Sequence, residues 1–373
     1  MEVSVGKLPP SGPAAGVASG PAFERSLHAP ERVLPPFVMI AGRSYLSNRV
    51  VPTPEACFLP RRRLPAITAT LALDDADHVQ SVTLRNIKAV RRRFLPVRDL
   101  SGSVVVDLRW IGLSSWFQGV ALAPPYALML ASELREAGLG PVRFVIPERT
   151  IGKVATLLRD IVGNVVAHDG RVKGRFVTIS PKTHGILDRC ANGWMAEHGA
   201  PLLDRVRQVD SDLPRKIFLD RKTRAIANAD EIAPILSARG YERVFAEELS
   251  VYEQIALLCR ATHVVAIHGA ALSPLVYRTR EDGPLHMIEI MSPGHVVPSF
   301  RNRVLGLDLT YFAVRGLPDA RTARDAFDPD LPWLDYARRN SRRSFRVDPL
   351  SLEIALEAGS ETDLYDYVWG TAE

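Results

Sequence analysis

A short segment around His268 and Gly269 combines residue types that can bind a phosphate group. Residues 262–267 have the length and β-branched content of a buried strand, and residues 271–277 can begin a helix. Small residues between them let a ligand approach the first N–H groups of that helix, where the helix dipole favours an anion. The alternative is that Gly269 only shapes a tight turn in an ordinary α/β unit.

Three cations, Arg221, Lys222 and Arg224, gather where another short apolar run, residues 216–221, ends and a loop begins. Loops at the carboxyl ends of strands are where open α/β sheets bind their ligands. Guanidinium and ammonium groups in such a loop can stabilise the charge that grows on a departing phosphate. The pattern therefore predicts an anion-binding loop ahead of the His268 turn.

The segments around these residues alternate between helix and strand patterns. Helical periodicity covers residues 229–239 and 251–260, and strand-like runs cover residues 243–246 and 285–290. Such alternation predicts a parallel sheet with right-handed crossovers.

This part of the chain resembles the conserved domain of glycosyltransferase family 61. The positions that carry the resemblance are, in order, Arg221, Arg224, Asn228, Glu231, residues 247–250, Glu253, Gln254, Ala261, His268, Gly269, Ala270, Leu272, Ile288 and Glu289. The family includes bacterial capsular-polysaccharide enzymes and eukaryotic xylosyl-, arabinosyl- and N-acetylglucosaminyltransferases. One departure from the family pattern is that Ser273 and Pro274 stand where the family usually has Thr and Asn.

The resemblance implies an α/β fold of the GT-B type, in which two Rossmann-like parallel-sheet domains face a cleft. It implies an inverting glycosyltransferase, in which an acceptor hydroxyl attacks the anomeric carbon opposite the departing nucleotide diphosphate. A metal-independent mechanism is predicted separately, because none of the three Asp-x-Asp pairs in the sequence follows an obvious buried strand into a Gly-rich loop. The donor substrate would be a nucleotide diphosphate sugar, with a hexose or pentose to transfer, and no cofactor is implied. The acceptor would be a glycan, a polysaccharide or a lipid-linked saccharide.

The resemblance also assigns donor binding to residues in the two loops and at the end of a later strand. The assigned residues are Arg221, Lys222, Arg224, His268, Gly269, Ala270, Ala271, Leu272, Ser273 and Glu289. His268 is the expected catalytic residue, because its imidazole can donate a hydrogen bond to the leaving diphosphate. An unpaired carboxylate is costly to bury, so we expect Glu289 to meet solvent, a cation or sugar hydroxyls.

Four other motif residues, Asn228, Glu231, Glu253 and Gln254, have a structural interpretation beside the functional one. Ser250 and Glu253 have the spacing of a capping box, in which each residue binds the other's backbone N–H. Asn228 and Glu231 have the same spacing, with Asn as the N-cap. Both glutamates are therefore expected to stabilise helix starts rather than to contact the ligand.

The general base is not evident from the sequence. The family usually carries an Asn, a His and an Asp in an N-terminal motif that closes with a proline. Alignment on that proline, Pro125 here, places Ser115, Gln118 and Leu122 at the positions of the Asn, the His and the Asp. Asp107, at the end of a strand-like run, is a candidate replacement for the base, and the alternative is that it caps a loop or pairs with Arg109.

Two alternatives to a transferase remain. A nucleotide-sugar epimerase-like GT-B enzyme would use the same diphosphate site and need no acceptor cleft. A catalytically inactive, glycan-binding pseudo-transferase would explain why Gln118 and Leu122 stand where the family usually has a His and an Asp.

The chain is predicted to have four parts, the first from its composition and the others from the pattern of helices and strands and the family resemblance. Residues 1–35 are rich in Pro, Gly, Ala and Ser, which predicts a disordered leader. Residues 36–209 are predicted to form an N-terminal acceptor-side domain, and residues 210–315 a nucleotide-sugar-binding domain. Residues 316–373 are predicted to pack back on the N-terminal domain.

The charge and cysteine content limit the partners and the compartment. A formal net charge of +5 is small for 373 residues, so it suits an anionic ligand without requiring nucleic acid. The three cysteines are far apart, which predicts neither a disulfide framework nor a cysteine metal site and favours a reducing compartment. We expect a cytoplasmic, bacterial enzyme of capsular polysaccharide biosynthesis, with room for peripheral contact at the inner face of the membrane. The sequence does not predict the oligomeric state.

Overall fold

The computed structural model describes residues 23–34, 37–41, 56–59, 62–80, 95–209, 212–223, 226–292, 299–304, 307–318 and 344–358. In chain order the strands are β1 (Glu24–Ala29), β2 (Arg32–Leu34), β3 (Phe37–Ala41), β4 (Ala56–Leu59), β5 (Arg62–Leu64), β6 (Ile67–Leu73), β7 (His78–Gln80), β8 (Val97–Asp107), β9 (Val142–Ile146), β10 (Val165–Ala167), β11 (Arg171–Ser180), β12 (Lys216–Asp220), β13 (Glu242–Phe245), β14 (His263–Ile267), β15 (Leu285–Met291), β16 (Leu309–Arg315), β17 (Leu317–Pro318) and β18 (Phe345–Arg346). The α-helices are α1 (Ala123–Glu136), α2 (Gly152–Val162), α3 (His184–His198), α4 (Ala200–Arg207), α5 (Ala229–Ser237), α6 (Val251–Arg260), α7 (Ser299–Val304) and α8 (Pro349–Glu357), and a 3-10 helix covers Ala270–Tyr277.

The N-terminal sheet has the strand order β1-β6-β11-β8-β9-β10, with β7 also paired to β11. Strands β8 to β11 pair in parallel, whereas β1, β6 and β7 run antiparallel to their partners. The all-parallel sheet predicted for this half is therefore wrong. Parallel neighbours need a crossover of about a dozen residues or more, usually a helix, and the described residues between β1 and β8 contain no helix.

The C-terminal sheet has the strand order β13-β12-β14-β15-β16-β3-β4. Each neighbouring pair from β13 to β3 is parallel, and the edge pair of β3 with β4 is antiparallel. Helices α5 and α6 and the 3-10 helix connect successive strands from β12 to β15. The predicted alternation and the parallel sheet over this part of the chain are confirmed.

Two predicted boundaries are wrong because of long-range pairing. Strand β3 aligns Met39 with Ala313 of β16, so residues 37–41 complete the C-terminal sheet although they precede the whole N-terminal sheet except β1. In the predicted leader, β1 pairs with β6 and buries Leu27 and Ala29, so residues 24–29 belong to the N-terminal sheet. Composition alone does not detect such a strand, because its burial depends on a partner about 40 residues away.

The described end of the chain packs on the C-terminal sheet, not on the N-terminal domain as predicted. Phe345, Val347 and Leu352 are buried in the same apolar cluster as Phe218 of β12 and Phe312 of β16. The closing strand and helix therefore cover one face of the parallel sheet. An exposed apolar sheet face would be unstable in water, and α8 supplies the apolar surface that buries it.

The two sheets are joined through a layer of helices. Apolar residues of α6, among them Ile255, lie in one cluster with the core of the N-terminal sheet. The hydroxyl of Tyr277, at the end of the 3-10 helix, donates a buried hydrogen bond of 2.6 Å to the carbonyl of Val120. The structure thus establishes a mixed α/β fold with Rossmann-like parallel strands, while two GT-B domains facing a cleft stay a prediction. Across the described residues, no helix is both long and apolar enough to span a bilayer.

A pair of stacked histidines near the amino ends of β14 and β15 makes stability depend on pH. The rings of His263 and His286 stack with centroids 5.4 Å apart. Burial lowers the pKa of both, and the pKa of His263 is lowered further by Lys216 and that of His286 further by His263 and then Lys216. Both pKa values lie below that of a free histidine, about 6.5. As the pH falls through this value, the unfolded chain therefore binds more protons than the folded protein, which favours unfolding.

We therefore expect the free energy of unfolding to fall between pH 7.5 and pH 5.5, measured by urea denaturation. The His286→Leu variant removes one imidazole of the stack, whose Nε2 is buried without a hydrogen-bond partner among the described residues. The fall should be smaller in this variant than in the unaltered protein. An equal fall in both proteins would show that the stack does not contribute to the pH dependence.

Candidate functional site

The strand order of the C-terminal sheet creates one crevice at its carboxyl edge. Counted from β12, the order β13-β12-β14-β15-β16 is the 2-1-3-4-5 order of a doubly wound sheet. In such a sheet the chain leaves the first strand on one side and enters the third on the other, so a crevice opens between their carboxyl ends. Arg221 follows β12 and His268 follows β14, so these two residues flank the place where open α/β sheets bind ligands.

Arg221 is held against the turn that follows β14. Its Nη1 donates a hydrogen bond of 3.2 Å to the carbonyl of His268. Its backbone N–H donates a bond of 2.7 Å to Oδ1 of Asp220, which is fully buried. The other oxygen of Asp220 accepts a bond of 2.7 Å from Nε of Arg243. Asp220 therefore fixes the loop that carries Arg221.

Gly269 leaves space for the guanidinium of Arg221. A Cβ at Gly269 would lie 2.7 Å from Nη1 and 3.1 Å from Cζ of Arg221, so a side chain there would displace the guanidinium. The backbone of Gly269 has φ 159° and ψ −177°. The glycine predicted to let a ligand approach thus also lets a cation approach the same backbone.

His268 forms a pair with a buried carboxylate. Its Nδ1 donates a hydrogen bond of 2.5 Å to Oε1 of Glu289, whose side chain is completely buried. The hydroxyl of Tyr311 on β16 donates to the other oxygen of Glu289. The ring of Phe300 lies with its centroid 5.5 Å from that of His268. Three neighbouring strands therefore fix the imidazole: β14 leads into it, and β15 and β16 supply the carboxylate and the phenol.

Glu289 was expected to meet solvent, a cation or sugar hydroxyls, and the structure places it against two side chains. The carboxylate meets a histidine and a tyrosine hydroxyl instead of solvent or an open ligand surface. A buried carboxylate needs partners to offset its desolvation, and here it finds them on both neighbouring strands. Glu289 thus lies behind His268 and orients its imidazole by accepting a hydrogen bond from Nδ1.

The other two predicted cations differ from Arg221. Nζ of Lys222 lies 2.6 Å from Oε1 of Glu248, with both side chains about half exposed, and 5.9 Å from the ring centroid of Phe245 at the end of β13. The structure therefore directs Lys222 toward the edge of the sheet, away from β14. Arg224 lies outside the described residues.

The helix predicted after Gly269 is a 3-10 helix over Ala270–Tyr277. Pro274 lies inside it and has no backbone N–H, which prevents continuous α-helical hydrogen bonding. Leu272 and Ser273 are completely buried, and the hydroxyl of Ser273 donates to the carbonyl of Ala270 at 2.5 Å. Their side chains are therefore packed inside the protein, and their assignment to donor binding stays a prediction. Ala270 and Ala271 are partly exposed and remain beside the crevice.

Asn228 joins the donor-side loop to the closing segment. Its Nδ2 donates to the carbonyl of Val347 at 2.8 Å, and its Oδ1 accepts from the N–H of Val347 at 2.9 Å. It also donates to Glu231 at 3.0 Å, a bond that lowers the pKa of that carboxyl. The predicted side-chain N-cap is absent at Asn228, because the amide binds the closing segment instead.

Asn228→Ala is expected to lower the free energy of unfolding, because the N–H and C=O of Val347 would lose their buried partners. The cost is roughly 1 to 3 kcal/mol for each unsatisfied group, measured by urea denaturation. The control is Glu231→Gln, because Glu231 accepts a hydrogen bond from Asn228 but its side chain is about half exposed. Equal, small changes in the two variants would contradict the role of Asn228.

The remaining motif residues have the structural roles that were expected. Ser250 and Glu253 form a complete capping box, with bonds of 3.2 Å and 2.8 Å in the two directions. The bond from the backbone N–H of Ser250 lowers the pKa of Glu253. Gln254 is buried, and its Nε2 donates to the carbonyl of Leu249 at 3.1 Å. These residues start helix α6.

Asp107 is paired with Arg109. Its Oδ1 accepts from Nε of Arg109 at 2.9 Å and its Oδ2 from Nη2 at 2.8 Å, a two-pronged ion pair. Nη1 of the same arginine donates to the carbonyl of Gly170 at 2.6 Å. Of the roles considered for Asp107, the structure shows the pairing with Arg109, which occupies both carboxylate oxygens.

The segment that replaces the family's N-terminal motif lies beside His268 through aromatic contacts. Phe117 packs edge-on against Phe300 with centroids 6.0 Å apart, and Phe300 contacts His268. The next residue, Gln118, has an Oε1 that is buried without a hydrogen-bond partner among the described residues. Leu122 is 1% exposed and belongs to the apolar core. The position where the family usually has an Asp is therefore a core position here.

Four residues of the site were not singled out from the sequence: Asp220, Arg243, Phe300 and Tyr311. A charged residue at the end of an apolar strand is the one available signal, and it applies to Asp220 as it does to Glu289. Tyr311 and Phe300 look like ordinary core residues, because their importance lies in neighbours that are distant in the sequence.

Residues 139–297 match the family model for glycosyltransferase 61. The matched segment runs from the residues before β9 to beyond β15, so it contains Arg221, His268 and Glu289. This match supports membership of the chain in glycosyltransferase family 61, as the sequence resemblance predicted. A glycosyltransferase acts on a sugar donor and a glycan acceptor in general. A comparison with curated proteins finds no match to the chain.

Proposed function

We propose that the protein is an inverting, metal-independent glycosyltransferase that moves a hexose or pentose from a nucleotide diphosphate sugar to a glycan, polysaccharide or lipid-linked acceptor. The observation that carries the proposal is that Arg221 and the His268–Glu289 pair converge at the switch point of a doubly wound sheet. The family match supports the transferase class.

The two site residues would act on the leaving group. Arg221 carries a permanent charge and several N–H donors, which suit diphosphate oxygens. His268 would donate a hydrogen bond to the same group, and the buried carboxylate of Glu289 would stabilise a positively charged imidazole by Coulomb attraction. Both interactions strengthen as negative charge develops on the departing diphosphate, so they would stabilise the transition state more than the bound donor.

The remaining parts of the proposal follow from the same arrangement. Residues 210–315 would bind the donor and residues 36–209 would contribute the acceptor side, with β3 counted in the donor sheet. The Phe117–Phe300 contact brings the N-terminal half to the edge of the donor crevice. No cofactor is proposed, and a cytoplasmic place in capsular polysaccharide assembly, with contact at the inner membrane face, fits the small positive charge.

A pseudo-transferase is the second candidate, because Leu122 is a core residue at the position where the family usually has an Asp. Such a protein would bind donor or glycan without transfer. An epimerase-like enzyme would instead convert a nucleotide sugar without an acceptor.

A panel of nucleotide sugars, screened by thermal shift in the presence of a chelator, tests the proposal. A ligand that binds the native state alone raises the melting temperature, and at 100 times its Kd it stabilises by about 2.7 kcal/mol. The stabilising donor is then incubated with glycan acceptors. Transfer supports the proposal, binding without transfer supports the pseudo-transferase, and product from the donor alone supports the epimerase. A strict requirement for Mn²⁺ would contradict the metal-free mechanism.

A further inference from the structure

A cavity of about 590 Å³ lies where helices α3 and α4 meet the loop after the 3-10 helix. Its volume is that of an ordinary small-molecule site. The 3-10 helix runs from the carboxyl end of β14 toward the amino end of β15. The loop that follows it, residues 278–281, therefore lies at the amino edge of the sheet. The cavity is therefore separate from the crevice at Arg221 and His268.

The described residues that line the cavity carry an excess of positive charge. Four of them are arginines, Arg207, Arg278, Arg280 and Arg303, against one carboxylate, Glu281. Glu281 is 81% exposed and lies 3.3 Å from Nη2 of Arg207, which is itself half exposed. Arg207 also lies 3.0 Å from Oδ1 of Asp204, and both of its pairs are exposed, so they are weak and screened by solvent.

Arg303 is the most unusual of these side chains. Its side chain is 3% exposed, and its Nη2 pairs with Asp188 on α3. Its Nε and Nη1 are buried and have no hydrogen-bond partner among the described residues. Its guanidinium carbon lies 4.2 Å from the ring centroid of Phe117. Buried donors without partners are rare and costly in folded proteins, and a ligand that accepts their hydrogen bonds would remove that cost.

Arg278 has a different task in the same wall. Its Nη1 donates to the carbonyls of Leu258, Cys259 and Ala261, and its Nη2 to three carbonyls of residues 282–284. These bonds tie the end of α6 to the loop before β15. Arg278 therefore fixes the wall, and Arg207, Arg280 and Arg303 are the other cations that line the cavity.

We propose that this cavity is a second anion site that binds a phosphate monoester. The three cations come from three different elements, namely α4, the loop before β15 and α7. A phosphate presents three oxygens in a tetrahedral arrangement, which can be reached from three sides, whereas a carboxylate presents two in one plane. The phosphate can belong to a soluble sugar phosphate or to a phospholipid headgroup.

Gly193 offers a direct test, because it lines the cavity from α3 and a Cβ there meets no heavy atom within 4 Å. Gly193→Glu puts a negative charge into the cavity, and Gly193→Gln puts in the same bulk without charge. Both replacements favour the helix over glycine, so both proteins should fold. Inorganic phosphate is titrated by calorimetry in the Arg221→Ala background, in which binding at the donor crevice is weakened.

Phosphate affinity is expected to be at least about tenfold weaker in Gly193→Glu than in Gly193→Gln, the loss expected when one like charge enters an anion site. Arg280→Ala, at an exposed position, should weaken it severalfold as well. Phosphatidylcholine vesicles containing phosphatidic acid form the second arm, and binding to them that Gly193→Glu removes would identify a lipid source. The proposal would be overturned if the protein bound neither inorganic phosphate nor the vesicles. It would also be overturned if Gly193→Glu and Arg280→Ala both left phosphate affinity unchanged.

Discussion

Replacing Arg221 with alanine is expected to weaken the binding of a nucleoside diphosphate by roughly tenfold to a hundredfold, or about 1.5 to 3 kcal/mol, without unfolding the protein. The guanidinium lies at the carboxyl end of β12, over the backbone of Gly269 and bonded to the carbonyl of His268. A charge-assisted contact to a diphosphate is lost, whereas Asp220 keeps its bond to Arg243 and so continues to hold the loop.

Lys222→Ala is the matched control for this prediction. It removes one positive charge from the same loop, but its ammonium lies beside Glu248 and Phe245 at the edge of the sheet. Affinity measured by calorimetry should change less than about threefold, because long-range attraction between exposed charges is screened. If both variants lose affinity equally, general charge rather than the geometry at the switch point attracts the ligand. If neither does, Arg221 has no place in the donor site.

The C-terminal sheet could be predicted from local patterns because its strands are short, apolar and separated by amphipathic helices. β12, β14 and β15 lie within a residue of the predicted runs. The convergence of Arg221 with His268 follows from the rule that parallel strands present their carboxyl ends at one edge. Local periodicity and one topological rule were therefore enough to identify the crevice.

The partner of Glu289 could not be predicted, because it depends on register between strands. In the sheet Ala266, Glu289 and Ala313 are aligned across β14, β15 and β16. His268 and Tyr311 each lie two residues from this row, so both can reach the carboxylate. A single sequence contains no information on the register between strands. A lone carboxylate in an apolar strand is therefore expected to be exposed to solvent. The pairings of β3 with β16 and of β1 with β6 escaped prediction for the same reason.

His268→Ala is expected to remove diphosphate binding and also to destabilise the fold. Without the imidazole, the buried carboxylate of Glu289 loses the hydrogen bond from His268 and keeps the one from Tyr311. Breaking a buried pair in this way costs about 3 to 5 kcal/mol. A lower melting temperature would therefore follow from either a structural or a functional role of His268, so this variant alone does not separate the two.

His268→Asn separates them. The Nδ2 of asparagine can take the position of the imidazole Nδ1 and donate to Glu289, so the melting temperature should stay close to that of the unaltered protein. Asparagine carries neither the second ring nitrogen nor the positive charge of a protonated imidazole. If His268 acts on the leaving group, diphosphate affinity or turnover falls at least about tenfold, or roughly 1.4 kcal/mol, in this well-folded variant. A stable His268→Asn protein with normal affinity and turnover would mean that His268 only anchors Glu289 and the sheet.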